Sequence, residues 1–174
     1  MLKIEQNFSI VNYKQEVTMK IGIISDTHCW EYTYIIPDWI KKAFKDVDMI
    51  VHAGDVETPS VLNSLQNIAP VYAVRGNCDS SGLNTPDSIS LDIGCGKLTA
   101  AHKPAQAHYE ALSSPNTRVI VFGHTHIATI SEENGILLIN PGSPSHPRGG
   151  LPPSVAILEV SNRGELFPQI ITKY

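Results

Sequence analysis

Three apolar runs, KIGIIS at Lys20–Ser25, DMIVH at Asp48–His52 and PVYAV at Pro70–Val74, each lead directly into a polar cluster: SDTH, HAGD and RGNCD. Between them lie two helical stretches, one beginning near Pro37 (PDWIKKAFK) and one from Thr58 and Pro59 to about Asn67, with proline suited to a first helical turn. Strand–helix–strand repetition calls for parallel pairing through right-handed crossovers. In such sheets the carboxyl ends of neighbouring strands converge on one crevice. Polar clusters far apart in sequence are therefore predicted to meet there.

From Ser88 onward strands follow one another more closely. Ser88–Asp92 and Lys97–Ala101 flank Gly-Cys-Gly as a hairpin, and a short helix is predicted around Ala105–Leu112. Strands are then predicted at Arg118–Gly123, Ala128–Glu133, Gly135–Asn140, Ser154–Val160 and Glu165–Ile171, each bounded by turn residues. Asn140–Pro153, dense in glycine and proline, reads as an ordered surface loop. The fold class is α/β, a mixed domain built largely of two sheets.

Met19 stands immediately before the first convincing strand, so the domain is placed at residues 19–174 and residues 1–18 are read as an N-terminal extension. A chain of 174 residues, 42% of them hydrophobic, can bury one sizeable core without a second domain. Its net charge of -4 argues against a general nucleic-acid binder, so no stable nucleic-acid complex is expected. The sequence has no apolar run of about 18 residues and no signal-peptide core, and a cytoplasmic protein without membrane association is expected. Cys29, Cys78 and Cys95 form no C-x-x-C pair, which indicates neither a disulfide framework nor a thiolate zinc site.

The strand-end clusters supply Asp26, His28, Asp55 and Asn77, and later strands add His102 (TAAH) and His124 and His126 (GHTH). Seven nitrogen and oxygen donors exceed what one tetrahedral ion needs. They suit two ions about 3.5–4 Å apart sharing a carboxylate, for which Asp55 is the candidate. On an extended tail, alternate residues point the same way, so Asp26 and His28 would grip one ion, while His124 and His126 share a side. Gly54, Gly76 and Gly123 are read as permitting tight turns where the donors converge.

Taken in order, D-x-H, GD, GNCD, a lone strand-end histidine and GHTH resemble the calcineurin-like metallophosphoesterase family, especially its small single-domain bacterial and archaeal phosphodiesterases. The resemblance runs from about Met19 to the end and includes the NPGS loop at Asn140–Ser143. It implies a two-sheet β-sandwich flanked by helices. It also implies one metal held by Asp26, His28, Asp55 and His126, and another by Asp55, Asn77, His102 and His124. The implied nucleophile is a water or hydroxide between the two ions, attacking the phosphorus of a small phosphodiester. Manganese is the first choice of divalent metal, with iron, nickel, cobalt or zinc as alternatives, since donors without thiolate accept all of these. Asp55, Asn77, Cys78 and His102 stand at the catalytic positions.

Two departures bear on mechanism. Many members carry GNH where this chain has Cys78, and a thiol with an ordinary pKa near 8.5 is a poor proton donor to a leaving oxygen at neutral pH. Either a bias toward diesters with good leaving groups or acid catalysis by water or another histidine is expected accordingly. The fifth motif reads His102-Lys103-Pro104 and lacks the family's second histidine, so only His102 is carried over.

Outside the motifs, blander roles are expected. His52 is read as a core or supporting residue, Asp79 as a turn cap or support for Cys78, and Arg75 and Arg148 as members of surface ion pairs. Cys29 and Cys95 are read as structural. Trp30, Tyr32, Tyr34 and Trp39 are read as core or as a subunit contact through which a homodimer could form. The rivals to a phosphodiesterase are a phosphomonoesterase and an interaction scaffold, because the fold also resembles the retromer scaffold subunit, whose site has lost residues.

Overall fold

The computed structural model describes residues 16–30 and 34–173. The proposed extension therefore lies outside the described residues except at 16–18, as does Tyr32. Ten strands are described: β1 (Val17–Ile24), β2 (Met49–His52), β3 (Val71–Ala73), β4 (Ser88–Asp92), β5 (Lys97–Ala101), β6 (Thr117–Val121), β7 (Thr129–Glu133), β8 (Ile136–Asn140), β9 (Ser154–Ser161) and β10 (Leu166–Thr172). Three α-helices accompany them: α1 (Asp38–Ala43), α2 (Pro59–Gln66) and α3 (Pro104–Ser113).

The strands form two five-stranded sheets, ordered β10-β9-β1-β2-β3 and β4-β5-β6-β8-β7. β1, β2 and β3 pair in parallel, as the strand–helix–strand pattern requires, whereas β9 and β10 extend the same sheet antiparallel. The second sheet is mixed: β5, β6 and β8 are parallel, and β4 and β7 close its edges antiparallel. β1 begins at Val17, three residues before the expected run, because β9 is long enough to pair Val17 with Ser161.

Side-chain alternation explains the layers. Ile21 and Ile23 of β1, Val51 of β2 and Ala156, Leu158 and Val160 of β9 face Leu98, Ala100, Val119, Val121 and Ile139 of the other sheet in a core between the two. The opposite faces of β1 and β2 present Ile24 and Ile50 to Ile40 and Phe44, near α1, and to Val61 and Leu65 of α2. Gly22 lies on that face, where an added Cβ would approach the Phe44 ring to 3.0 Å. On the far side, Ala107 of α3 covers Ala101, Ile120 and Leu138. Two sheets packed face to face with helices on the outside are the sandwich that the resemblance implies.

This arrangement sets the site. β1, β2, β3, β5 and β6 all end at one rim of the sandwich, and every polar cluster singled out from the sequence follows one of those ends.

Candidate metal centre

The chain bends sharply as it leaves β1, β2 and β6. Asp26, His28, Asp55, His124 and His126 all have positive φ, between 43° and 68°. Five non-glycine residues in left-handed backbone, each costing about 1–3 kcal/mol, mark a site whose geometry the surroundings enforce. This corrects the reading of D-x-H and GHTH as extended tails: the paired side chains converge through left-handed turns, not through strand alternation. Glycine is required at two points of close approach. A Cβ at Gly76 would collide with Asp55, and one at Gly123 would collide with Ser25 and Asp26.

The structure brings all seven donors to one rim. His126 Nε2 lies 3.2 Å from Asp26 Oδ1 and 3.2 Å from His28 Nε2. Asp55 Oδ2 lies 3.6 Å from His28 Nε2 on one side and 3.3 Å from His102 Nε2 on the other. Asn77 Oδ1 is 3.1 Å from that same His102 nitrogen, and the His124 ring meets His102 edge-on, with centroids 5.2 Å apart. Donor atoms of Asp26, His28, Asp55 and His126 all fall within 4.8 Å of one another.

Hydrogen bonds around the rim fix which nitrogen of each ring faces inward. Nδ1–H of His28 donates to Glu57 Oε1 (2.6 Å), that of His102 to the Ala53 carbonyl (2.8 Å) and that of His126 to the His146 carbonyl (2.6 Å). Three Nε2 lone pairs consequently point at carboxylate oxygens and, for His28 and His126, at each other. Such lone pairs repel unless a cation or an added proton lies among them, so this donor set fits divalent metal.

The backbone is pinned just as closely. Asp79 accepts from the N–H groups of Asp55, Gly76 and Glu57, tying the turn after β2 to the turn after β3. The Cys78 N–H holds Asp55 Oδ1 at 2.8 Å, leaving Oδ2 to face the histidines. Asn140 donates to the Gly123 carbonyl and to the Thr125 hydroxyl, and the Ser143 hydroxyl donates to the Asp26 carbonyl. The NPGS loop thus braces both metal-facing turns.

Protonation follows burial and neighbours. Burial opposes charge on Asp55, yet hydrogen bonds from His102 and the Cys78 N–H, with charge on His102 and His28, hold its carboxyl well below the usual range. Burial pushes the Asp26 carboxyl up against the pull of Ser25, His102 and His126. Burial alone would lower His102, but bonding and charge from Asp55 raise it, whereas burial with His102 and Lys103 nearby lowers His124. His52 is fully buried and pushed down to about 3, first by burial and then by His102. Its Nδ1 accepts from the Gly54 N–H, so its Nε2–H donates to the Thr27 hydroxyl, whose own proton goes to the Asp55 carbonyl.

Other expectations resolve individually. His52 supports the Asp55 turn from the core, and Asp79 caps backbone. Cys29 and Cys95 pack beside the two larger cores. Arg75 is paired with Asp87, but no ion pair of Arg148 occurs among the described residues. Trp39 and Tyr34 pack against the helix-covered core, whereas Trp30 is 78% exposed beside the site, contrary to the core reading. Glu57 and His146 were missed by sequence reasoning. Glu57 had a signal, a carboxylate two residues after a donor in the same turn; His146 had none, since its backbone carbonyl makes the bond.

Residues 19–163 match the calcineurin-like phosphoesterase superfamily domain. A probable metallophosphoesterase from Methanothermobacter thermautotrophicus is 38% identical over 150 residues, 82% of this chain and 86% of that protein. A solved structure described as a novel archaeal phosphodiesterase has a TM-score of 0.68 at 27% identity, covering 88% of this chain and 100% of the other. Vacuolar protein sorting 29 from Cryptosporidium parvum shares the fold, with a TM-score of 0.69 at 21% identity over 91% of this chain and 100% of that one. The chain belongs to the calcineurin-like phosphoesterase superfamily, and the activity that goes with it is metal-dependent hydrolysis of phosphate esters.

Proposed function

We propose that this protein is a phosphodiesterase acting on small diesters, with two divalent ions, manganese first among them, sharing Asp55. The observation that carries this reading is the position of Asp55 Oδ2 between His28 Nε2 at 3.6 Å and His102 Nε2 at 3.3 Å. Asp26, His28, Asp55 and His126 would hold one ion, and Asp55, Asn77, His102 and His124 the other. Bound there, the ions supply a water of lowered pKa and neutralise charge on the phosphoryl oxygens. Asp55 orients toward both ions because the Cys78 N–H occupies its other oxygen. With their Nδ1–H groups engaged, the neutral histidines carry their lone pairs on Nε2, and at His102 a metal would take the place of the proton that Asp55 otherwise favours.

Diesters are favoured over monoesters on charge. A dianionic monoester wants additional cations, but Arg75 is committed to Asp87 and only Arg148 brings a guanidinium to the groove at the centre. Leaving-group protonation is weak as well. Burial, with Asp55 and Glu57 nearby, pushes the Cys78 thiol up, so it donates a proton poorly at neutral pH. The presence of all seven donors, Asn77 included, weighs against an interaction scaffold with a degraded site.

The test is hydrolysis of bis(p-nitrophenyl) phosphate and p-nitrophenyl phosphate by metal-stripped protein reloaded with manganese. Turnover of the diester should exceed that of the monoester and fall to background in Asp55→Ala. Equal rates in both proteins would refute the reading. Cys78→His should raise rates selectively on alkyl leaving groups, and elemental analysis of untreated protein reads the native metal.

A further inference from the structure

A groove of about 570 Å³ opens on the His28–His126 side of the centre. Its near wall is formed by the two proposed ligands with Glu57 and Cys78, and its far wall by Trp30, His146, Pro147 and Arg148. The volume lies within the range of about 300–1,000 Å³ typical of small-molecule sites, far more than one phosphoryl group fills. Because the near wall is the metal centre itself, an occupant of the groove is within covalent reach of phosphorus held there.

Two side chains on the far wall lack a structural purpose. Trp30 is 78% exposed, although an indole gains substantially from burial and Trp39, the chain's other tryptophan, takes that gain in the core under the helices. Arg148 has no carboxylate within ion-pair distance among the described residues, while Arg75 across the centre is paired with Asp87. The His146–Arg148 side of this wall is firmly attached. The Arg148 N–H donates to the His126 carbonyl at 3.1 Å, and the His146 carbonyl receives the His126 Nδ1–H at 2.6 Å. The His146 ring stands edge-on to His28, with centroids 5.4 Å apart. That side of the wall is thus held in register with the donors. A flat apolar face beside a guanidinium with no ion-pair partner among the described residues matches a planar, π-rich group with hydrogen-bond acceptors at its edge.

We infer that this groove is the subsite for an aromatic arm of the ester, with Trp30 and Arg148 as its specificity-determining residues. The inference rests on the phosphodiesterase reading for its substrate and on the groove alone for the arm. Trp30 stacks on the ring and Arg148 reaches its edge. Aryl and nucleobase arms share this chemistry.

Binding of methyl phosphate, phenyl phosphate and thymidine 5′-phosphate to the manganese-loaded protein separates the possibilities, read by calorimetry and by tryptophan fluorescence. The aromatic esters should bind at least about tenfold more tightly than methyl phosphate and quench fluorescence. That gap should close in Trp30→Ala, persist in Trp30→Phe and narrow about threefold in Arg148→Gln. A preference for thymidine 5′-phosphate over phenyl phosphate marks a nucleobase subsite, and the reverse marks an aryl one. Equal binding of all three esters, or a gap that survives in Trp30→Ala, overturns the inference. Diester turnover without the gap removes the subsite and spares the proposed function. The gap without turnover does the opposite.

Discussion

In their neutral form His28, His102 and His126 present a proton-free Nε2 because another atom receives each Nδ1–H. For His102 and His126 the receiver is a backbone carbonyl that no substitution removes, but for His28 it is the Glu57 carboxylate at 2.6 Å. Glu57→Ala should therefore lower manganese affinity about 10–100-fold, as removal of such partners does, measured by titrating metal-stripped protein. His52 makes a second prediction. Its pKa is held near 3, below the ordinary 6.5, so between those values the unfolded chain binds a proton that the folded one refuses. The stability from neutral, buried His52 is complete above about pH 6.5 and is lost as pH falls toward 3. Melting of metal-free protein between pH 7 and 4 should accordingly depend less steeply on pH in His52→Gln than in the parent, although Asp55 adds an acid-sensitive contribution to both.

The strands themselves carry little of the chemistry; the turns leaving them carry nearly all of it. β1, β2 and β6 are straightforward: branched apolar residues on both faces, buried between the other sheet and the helices. The turns after β1, β2 and β6 are costly, with left-handed residues kept in place by Asp79, Asn140 and Ser143. The cost differs with what the glycines face. Gly135, in the β7–β8 turn, has φ of 77° and nothing near its absent Cβ, so Gly135→Ala should cost only the left-handed penalty, about 1–2 kcal/mol. Gly76→Ala carries no left-handed penalty but would drive its Cβ into Asp55 backbone and carboxylate, and should cost more and weaken metal binding too. Urea denaturation of both variants, with calorimetric metal titration, checks the ranking.

Across the whole molecule, the centre joins the two sheets. Asp26, His28, Asp55 and Asn77 follow strands of the first sheet, and His102, His124 and His126 follow strands of the second. Ions bound among them would link the halves of the sandwich at their shared rim. At a metal concentration near 100 times Kd the linkage amounts to about 2.7 kcal/mol, or roughly 5–10 °C in Tm for a domain of this size. Chelation should lower Tm by that much in the parent and by clearly less in Asp55→Asn, measured by scanning calorimetry at fixed protein concentration.

That seven candidate donors gather at one rim, the order of the strands that carry them and the presence of two sheets were all legible in the sequence. Apolar periodicity is a local property, and a polar residue at the end of a buried strand is conspicuous beside it. How the donors converge was not legible. Nothing within Asp-Thr-His or Gly-His-Thr-His signals left-handed backbone, because those angles are imposed by Asp79, Asn140 and Ser143 from distant segments. The exposure of Trp30 and the missing partner of Arg148 were likewise invisible, since whether a side chain is covered or paired depends on which segments fold beside it. The sequence by itself determined which side chains carry candidate donor atoms; the tertiary structure alone decided which of their lone pairs point inward and which groove lies beside them, because both depend on contacts between residues as far as 117 positions apart.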